Sequence, residues 1–558
     1  MLQFPYQTYM GGTIMGTVQS PAATTGGRRL LQNQYYLYLT EFFAGMAVMA
    51  VEIGAQRLIS PYFSSSQVVW TIIIGMIMIA MAGGNVYGGK TADKDPNPDK
   101  LYGRILFSSI WLALIPFLGK YIIVGISAVV IFSVNANYLI IAAIVTCLLL
   151  FVFPLFLLGT VTPSLAKYTM DSLSDNGKIV GTLGAMNTIG SILGTFLPTF
   201  VTIPAIGTNL TFLIFSGILL VLSAVYFLSS GKRLRKVGAA AILFVAACLL
   251  GYKTDFAFWE SREGLLYEGE SVYNYLRVQD SPKRTVLSTN VLFGVQSVLE
   301  KSDGLTGMYY DYALAAPFLT KSGTQKAQDV LILGMGSGTY ARQLLRYLPG
   351  TKVAGVEIDR KITDLAHQYF QLPAQVPVTE YDGRAYLNED PQKYDVIMVD
   401  AYQDITIPFQ MSSVEFFQSV RQHLKTGGVM VVNLNMHGTE QGGIADWLAD
   451  TVAGVFPEVM TIDVPGNTNR ELFAGERGLK ASLAQNSQTV RDPQLKDLLA
   501  TIGNRAVLYH SGGRKFTDDK APVELLGMQE LDGLIRQEAE RYKEIYRKEG
   551  IEGVLQDL

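Results

Sequence analysis

Cysteine and histidine are nearly missing, at two and four residues in a chain of 558. So few thiols exclude a disulfide framework. With no CxxC pair a structural zinc site lacks its ligand set, and no metal is expected. Cys147 and Cys248 both fall inside apolar runs, where they read as small packed residues. Charge is sparse too, at 17% of residues. The basic residues do not interleave with aromatics along a stripe, which argues against a nucleic-acid partner. No long apolar core precedes residue 34, so 1–34 reads as an N-terminal tail and not as an obvious signal peptide.

What the chain has in quantity is apolar length. Runs at about 36–58, 68–89, 104–133, 137–160, 180–204, 208–229 and 237–252 approach or exceed the about 20 residues that cross a bilayer. The third is broken by Pro116, Gly119 and Lys120, and reads either as one tilted helix or as two short passes. Residues 35–254 are therefore expected to form a membrane domain of seven or eight transmembrane helices. Pro154, Pro163 and Pro198 are expected to kink or end spans. Gly190 and Gly194 form a GxxxG pair suited to close helix packing. Glu41, Glu52 and Arg57 are ionisable groups at membrane depth; Glu52 and Arg57 suit an internal ion pair, or a cation-attracting point in a cavity.

The two halves differ in charge. Residues 1–254 carry 15 Lys+Arg against 7 Asp+Glu, a net of +8; the remainder carries 30 against 41, a net of −11. Basic residues cluster at Arg28-Arg29, Lys90 to Arg104, Lys167 to Lys178 and Lys232 to Lys236. With seven passes all four clusters share one side, the cytoplasmic one, and the second half lies opposite. A cofactor made in the cytosol argues the reverse, and the expectation drawn is a cell-membrane protein whose second half is cytoplasmic.

From about residue 265 short apolar runs alternate with turns. Residues 255–325 are expected to form a small antiparallel sheet, with strands at Tyr273–Val278, Thr285–Ser288 and Gln296–Leu299. Residues 326–558 are expected to form a Rossmann-like domain with a C-terminal extension: from Val330 to Asn433 strands and helices alternate, which implies a parallel sheet covered by helices on both faces. Ser412 and Glu415 suit a capping box at the start of one of these helices. Residues 331–338, Leu-Ile-Leu-Gly-Met-Gly-Ser-Gly, are a strand running into a glycine loop, and Glu357 ends the next strand nineteen residues later. Glycines let backbone approach a ligand, and an acid at that tip suits ribose hydroxyls. Asp382 and Asp400 end two further strands, and Asp404 follows. Asp359 is assigned to a helix cap instead.

These stretches resemble the spermidine synthases, aminopropyltransferases with a methyltransferase-like Rossmann fold and a small N-terminal β-sheet. The likeness lies in Val-Leu-Ile-Leu-Gly-Met-Gly-Ser-Gly at 330–338, Gly-Val-Glu-Ile-Asp at 355–359, Tyr-Asp-Gly-Arg-Ala-Tyr-Leu at 381–387 and Tyr-Asp-Val-Ile-Met-Val-Asp at 394–400. Glu270 to Tyr273 and Gly294 to Ser297 look like the family's N-terminal sheet. Thr517 to Glu524 and the apolar first half look like its membrane-fused members. The resemblance implies that Gly334, Gly336, Gly338, Glu357, Asp382 and Gly383 line the cofactor, decarboxylated S-adenosylmethionine. Glu357 would hold the ribose and Asp382 the adenine amino group. Asp400 and Asp404 would be catalytic, and Gln296 and Tyr310 would touch the substrate or the aminopropyl arm. The expected partners are a small polyamine and the lipid bilayer, with a homodimer as one candidate assembly.

Two positions depart from the family pattern. Ser337 stands where an aspartate usually meets the amine of the donor, and Asp404 lies one residue farther from Asp400 than the family's second aspartate. Ser337 keeps open a methyltransferase or another enzyme consuming intact S-adenosylmethionine. The apolar spans containing Glu52 keep open a transporter with a nucleoside-sensing domain.

Overall fold

A computed structural model describes residues 33–134, 136–169, 176–253, 255–259, 262–291, 296–401, 407–435 and 442–557. Its first half is helical because long apolar runs are bounded by capping residues. Helix α1 spans Gln34–Phe63 and is capped by Asn33, whose side chain accepts from Tyr35 N. Ser66 caps α2, Gln67–Lys94, and Asn97 followed by Pro98 opens α3, Pro98–Ser133. The third apolar run is thus one helix of 36 residues, with Pro116 inside it. Helix α4 runs from Tyr138 to Thr169 through a π-turn at Leu148–Val152, just before Pro154. Helix α5, Asn176–Leu197, continues through a second π-turn, Pro198–Thr202, into α6, Ile203–Ser230. Helix α7 is Leu234–Gly251.

Six of these helices among the described residues are long and apolar enough to cross a membrane, the span Gly177–Ser230 being one of them. That span reverses direction at Gly207, whose φ of 83° no helical residue adopts. Side-chain register on both sides shows the reversal. Asn187 donates to Glu41 and Gly194 lies against Met46, so α5 runs parallel to α1. Tyr36 donates to the Leu222 carbonyl and Phe212 lies against Gly54, so α6 runs antiparallel to it. The same argument orders the rest. Thr40 meets Tyr102, and Gly119 faces Leu58, which makes α3 parallel to α1. Ser108 and Trp111 donate to the carbonyls of Pro154 and Leu150, which makes α4 antiparallel to α3. Gly84 and Gly88 face Gly159 and Pro163, which makes α2 parallel to α4. Gly103 and Pro116 meet Arg233 and Gly251, which makes α7 parallel to α3. The seven helices α1 to α7 therefore alternate in direction. The basic segments Lys90 to Arg104, Lys167 to Lys178 and Lys232 to Lys236 all connect helices at the end where α1 begins.

Gly190 and Gly194 give α5 its close approach: a Cβ at either would stand 2.0 or 2.1 Å from a carbonyl oxygen of α1. Both cysteines are free. Glu41 is fully buried and its Oε1 accepts from Thr162 and Asn187. Arg57 is not ion-paired to Glu52 among the described residues; it reaches out of the helices to the carbonyls of Ser271 and Val272.

The second half holds two sheets. The smaller is an antiparallel meander of β1 (Leu265–Glu270), β2 (Tyr275–Asp280), β3 (Arg284–Ser288) and β4 (Ser297–Glu300). Its first strand was not anticipated. A short helix α8, Tyr309–Ala313, follows. The larger sheet contains β5 (Asp329–Leu333), β6 (Lys352–Glu357), β7 (Val378–Glu380), β8 (Tyr394–Val399), β9 (Leu424–Leu434), β10 (Glu458–Asp463), β11 (Arg470–Gly475) and β12 (Val507–Leu508), in the order β12-β10-β11-β9-β8-β5-β6-β7. Strands β5 to β9 are parallel, as expected. The hairpin β10–β11 and β12 are antiparallel, so the sheet is mixed. Helices α9 (Thr339–Tyr347), α10 (Arg360–Tyr369) and α11 (Gly383–Glu389) follow β5, β6 and β7. Asp359 caps α10 as expected. Helix α12, Val414–His423, is capped by Ser413 and not by Ser412, correcting the expected capping box by one residue. Helix α13 is Ile444–Ala453, and α14, Val523–Asp557, returns the chain to the helical half. There Met528, Leu531 and Ile535 join the core of the first half.

Candidate active site

The larger sheet reverses its strand order between β5 and β8, the point at which sheets of this kind take ligands into a crevice beyond the carboxyl ends of the strands. The glycine loop follows β5 and Asp400 follows β8. The two are in contact: a Cβ on Gly334, whose φ is 90°, would lie 2.4 Å from the Asp400 carbonyl oxygen. Only glycine fits that crossing. Gly336, with φ 54°, turns its N–H onto Glu357 Oε2 at 2.9 Å.

Glu357 is almost wholly buried, at 7% exposure. Its Oε1 accepts from Asp359 N at 3.1 Å. Burial raises the carboxyl to about 6 against these hydrogen bonds, which pull it down. Each carboxylate oxygen has a second lone pair, so ribose hydroxyls can still donate to it. Asp382 accepts from Ala385 N at 2.9 Å through Oδ1 and caps α11. Gly383 opens the same helix.

Asp400 is held from two sides. Tyr309 OH donates to Oδ2 at 2.7 Å, and Asn433 Nδ2 donates to Oδ1 at 2.9 Å. Asn433 is itself fixed by Asn469, 2.8 Å from its Oδ1. Burial raises Asp400 to about 7; the two donors lower it, and the neighbouring charge of Glu357 raises it further. Tyr310 lies tilted against Tyr309 with centroids 3.9 Å apart and donates to the Gln296 carbonyl at 3.1 Å. Ser337 is fully buried, with its N–H on Ser297 Oγ and its hydroxyl 3.1 Å from that of Thr339. Asp404 lies outside the described residues.

The structure thus gathers Gly334, Gly336, Glu357, Asp400, Tyr310 and Gln296 around one crevice. It also adds residues that sequence reasoning passed over. Tyr309, one position before the expected Tyr310, is the tyrosine that reaches Asp400. Asn433 lies at the carboxyl end of the parallel strand β9, beside the end of β8 that Asp400 follows, and a polar residue at a strand tip is its signal in the sequence. Glu471 had no such signal, since it opens an apolar strand. It stands opposite Asn433 in the β11–β9 register, fully buried, with neither carboxyl oxygen partnered among the described residues. Burial, and the charge of Asp400, push it well above the usual carboxylate range.

A model of the spermine/spermidine synthase domain matches residues 314–466. A probable polyamine aminopropyl transferase of Bifidobacterium longum is 52% identical over 350 residues, which cover 59% of this chain and 77% of that one. The polyamine aminopropyltransferase of Vibrio vulnificus is 26% identical over 309 residues, covering 52% of this chain and 99% of its own. The crystal structure of a probable spermidine synthase from Corynebacterium glutamicum aligns with a TM-score of 0.35 at 21% identity, over 46% of this chain and 96% of that one. The extent and identity of the Bifidobacterium match establish that the chain belongs to the polyamine aminopropyltransferase family and is a transferase of that class.

Proposed function

We propose that the chain is an integral-membrane enzyme moving the aminopropyl group of decarboxylated S-adenosylmethionine to a diamine such as putrescine, giving spermidine and methylthioadenosine. The observation that carries this reading is Asp400, a carboxylate held by Tyr309 and Asn433 beside the glycine loop and raised to about 7. The amine nitrogen attacks the carbon next to the sulfonium. The N–C bond forms, the C–S bond breaks, and its electron pair leaves with sulfur as a neutral thioether. The amine must first lose a proton, since a primary amine with a pKa of about 10 is mostly protonated at neutral pH. Asp400 accepts that proton.

The same charges support the donor assignment. Asp400 and Glu357, near enough for the charge of one to act on the other, suit a cationic aminopropyl arm and disfavour the carboxylate of intact S-adenosylmethionine. Ser337 favours methyl transfer from the intact form, because a family carboxylate is missing there. Mass spectrometry after incubation with each donor and a panel of diamines separates the two. Aminopropylated product from the decarboxylated donor alone is expected; methylated product would overturn the proposal.

Glu357→Gln should weaken donor affinity about 10- to 100-fold, the range for one hydrogen bond to a charged group. Isothermal titration with the donor checks this, and unchanged affinity would remove Glu357 from the ribose site.

The division into a tail at 1–34, a membrane domain at 35–254, a sheet domain at 255–325 and a Rossmann-like domain at 326–558 is part of the proposal. So is the side of the membrane. Seven alternating passes with the basic segments at the far end support a second half facing away from the cytoplasm, against the preference drawn from cofactor supply. A reporter active only outside the cytoplasm, fused after Leu558, should be active; a silent reporter with a bright cytoplasmic one would reverse the assignment.

A further inference from the structure

A continuous line of hydrogen bonds joins the helical half to Glu357. At its start is Arg57, six residues before the end of α1. Its guanidinium donates to the carbonyl of Val272 and, at 3.4 Å, to that of Ser271, both in the turn between β1 and β2. Ser271 Oγ gathers that turn by accepting from Tyr273 N and Asn274 N at 3.1 and 2.8 Å. It donates in turn to Asp359 Oδ2 at 2.5 Å, and Asn274 Nδ2 donates to the same oxygen at 2.7 Å. Asp359 N then donates to Glu357 Oε1, whose other oxygen receives Gly336 N. Each carboxylate is thus set by the group before it.

The joint is braced elsewhere. Glu270, next to Ser271, accepts from both the N–H and the hydroxyl of Thr208, directly after the reversal at Gly207. Val291 N donates to the Pro61 carbonyl near the end of α1, five residues before Gln296. From the opposite flank, α14 places Glu524 on Gln67 N and Asp532 on the N–H groups of Asn137 and Tyr138, capping α2 and α4. Contacts on several flanks leave the turn holding Asp359 little freedom to move apart from α1.

We infer that the helical half is a structural part of the donor pocket, with Arg57 as a positioning residue that sets Glu357 through Ser271 and Asp359. Arg57 touches no substrate. It fixes two carbonyls in a fork that a guanidinium matches and a lysine ammonium reaches only in part. The inference rests on Glu357 being the ribose carboxylate, and the test is built to tell the two apart.

The full-length enzyme in detergent is titrated with decarboxylated S-adenosylmethionine, and amine KM is measured alongside. Arg57→Ala should weaken donor binding about tenfold and leave amine KM within twofold; Arg57→Lys should recover part of the loss. Ser271→Ala cuts the same line without altering α1 and should give the same donor-specific loss. The double variant should be no worse than the weaker single, because residues in one line are not additive. Donor and amine constants rising together, additive losses, or unchanged donor affinity in Ser271→Ala would each overturn the inference. Glu357→Gln is the reference. If it leaves donor affinity unchanged, the ribose assignment fails; if it weakens binding while Arg57→Ala does not, only the positioning role fails.

Discussion

Asp400→Asn should lower kcat by about three orders of magnitude while donor affinity changes less than about threefold. The size follows from general-base catalysis, which contributes about 10²- to 10⁴-fold. The selectivity follows from geometry. The one oxygen of an amide in place of the carboxylate can still accept from Asn433, and its NH2 can donate to the Tyr309 hydroxyl, which turns to accept, so both neighbours keep a partner. Glu357 and the glycine loop, which face the nucleoside, are untouched. What is lost is the group that accepts a proton.

The pH profile gives a second view of the same residue. Asp400 must be ionised to act as base, and it is raised to about 7. The rate should therefore fall as pH drops below about 7, with the slope of a single ionisation. Bound amine, being cationic, favours the carboxylate form and should shift the break to lower pH at saturating amine. Stopped assays from pH 5.5 to 9, at low and saturating amine, check both. A break near pH 4, or full activity in the asparagine variant, would remove Asp400 from the role of base.

How much of this was legible in the sequence depends on what each residue's signal is made of. The glycine loop and Glu357 could be read because backbone approach needs glycine and a strand tip needs a polar residue, and both leave local patterns. Apolar length left seven or eight helical runs open, and the reversal at Gly207 could not be seen in it. The close α1–α5 contact was visible as Gly190 and Gly194. The partners of Asp400 were less visible, since Tyr309 and Asn433 are 91 and 33 residues away and meet it only through the fold. Arg57 was misjudged for the same reason. Within its own helix it has Glu52 nearby, whereas its partners are carbonyls more than 200 residues on, which no side-chain pattern records. The antiparallel β10–β11 hairpin lies beyond the strands whose alternation with helices marked the parallel sheet, and strand direction is set by the connection and not by strand composition.

The other large effect is expected at Glu471, where stability and activity should move in opposite directions. A wholly buried carboxyl with neither oxygen partnered is costly to the fold, and apolar replacement of such groups often stabilises by about 1–4 kcal/mol. A residue kept at that cost, on the same sheet face as Asn433 and Asp400, fits a role in receiving a cation. Its raised pKa fixes the sign of the pH effect. A carboxyl whose folded pKa lies above its unfolded value stabilises the fold below the unfolded value, and that contribution is lost as pH rises through the folded one. The unliganded wild type should therefore melt at lower temperature at pH 8 than at pH 5.5, and added diamine should narrow the gap. Glu471→Leu should raise the melting temperature at pH 8 by about 5 °C, in keeping with about 2 kcal/mol. It should flatten the pH dependence without abolishing it, because Asp400 and Glu357 are raised as well. In the same variant kcat/KM for the amine should fall about 100-fold, as expected for losing one member of a buried charge pair. Glu471→Gln, which keeps the shape, should show the kinetic loss with less gain in stability. A leucine variant that is more stable and equally active would mean that Glu471 burdens the fold without serving the amine.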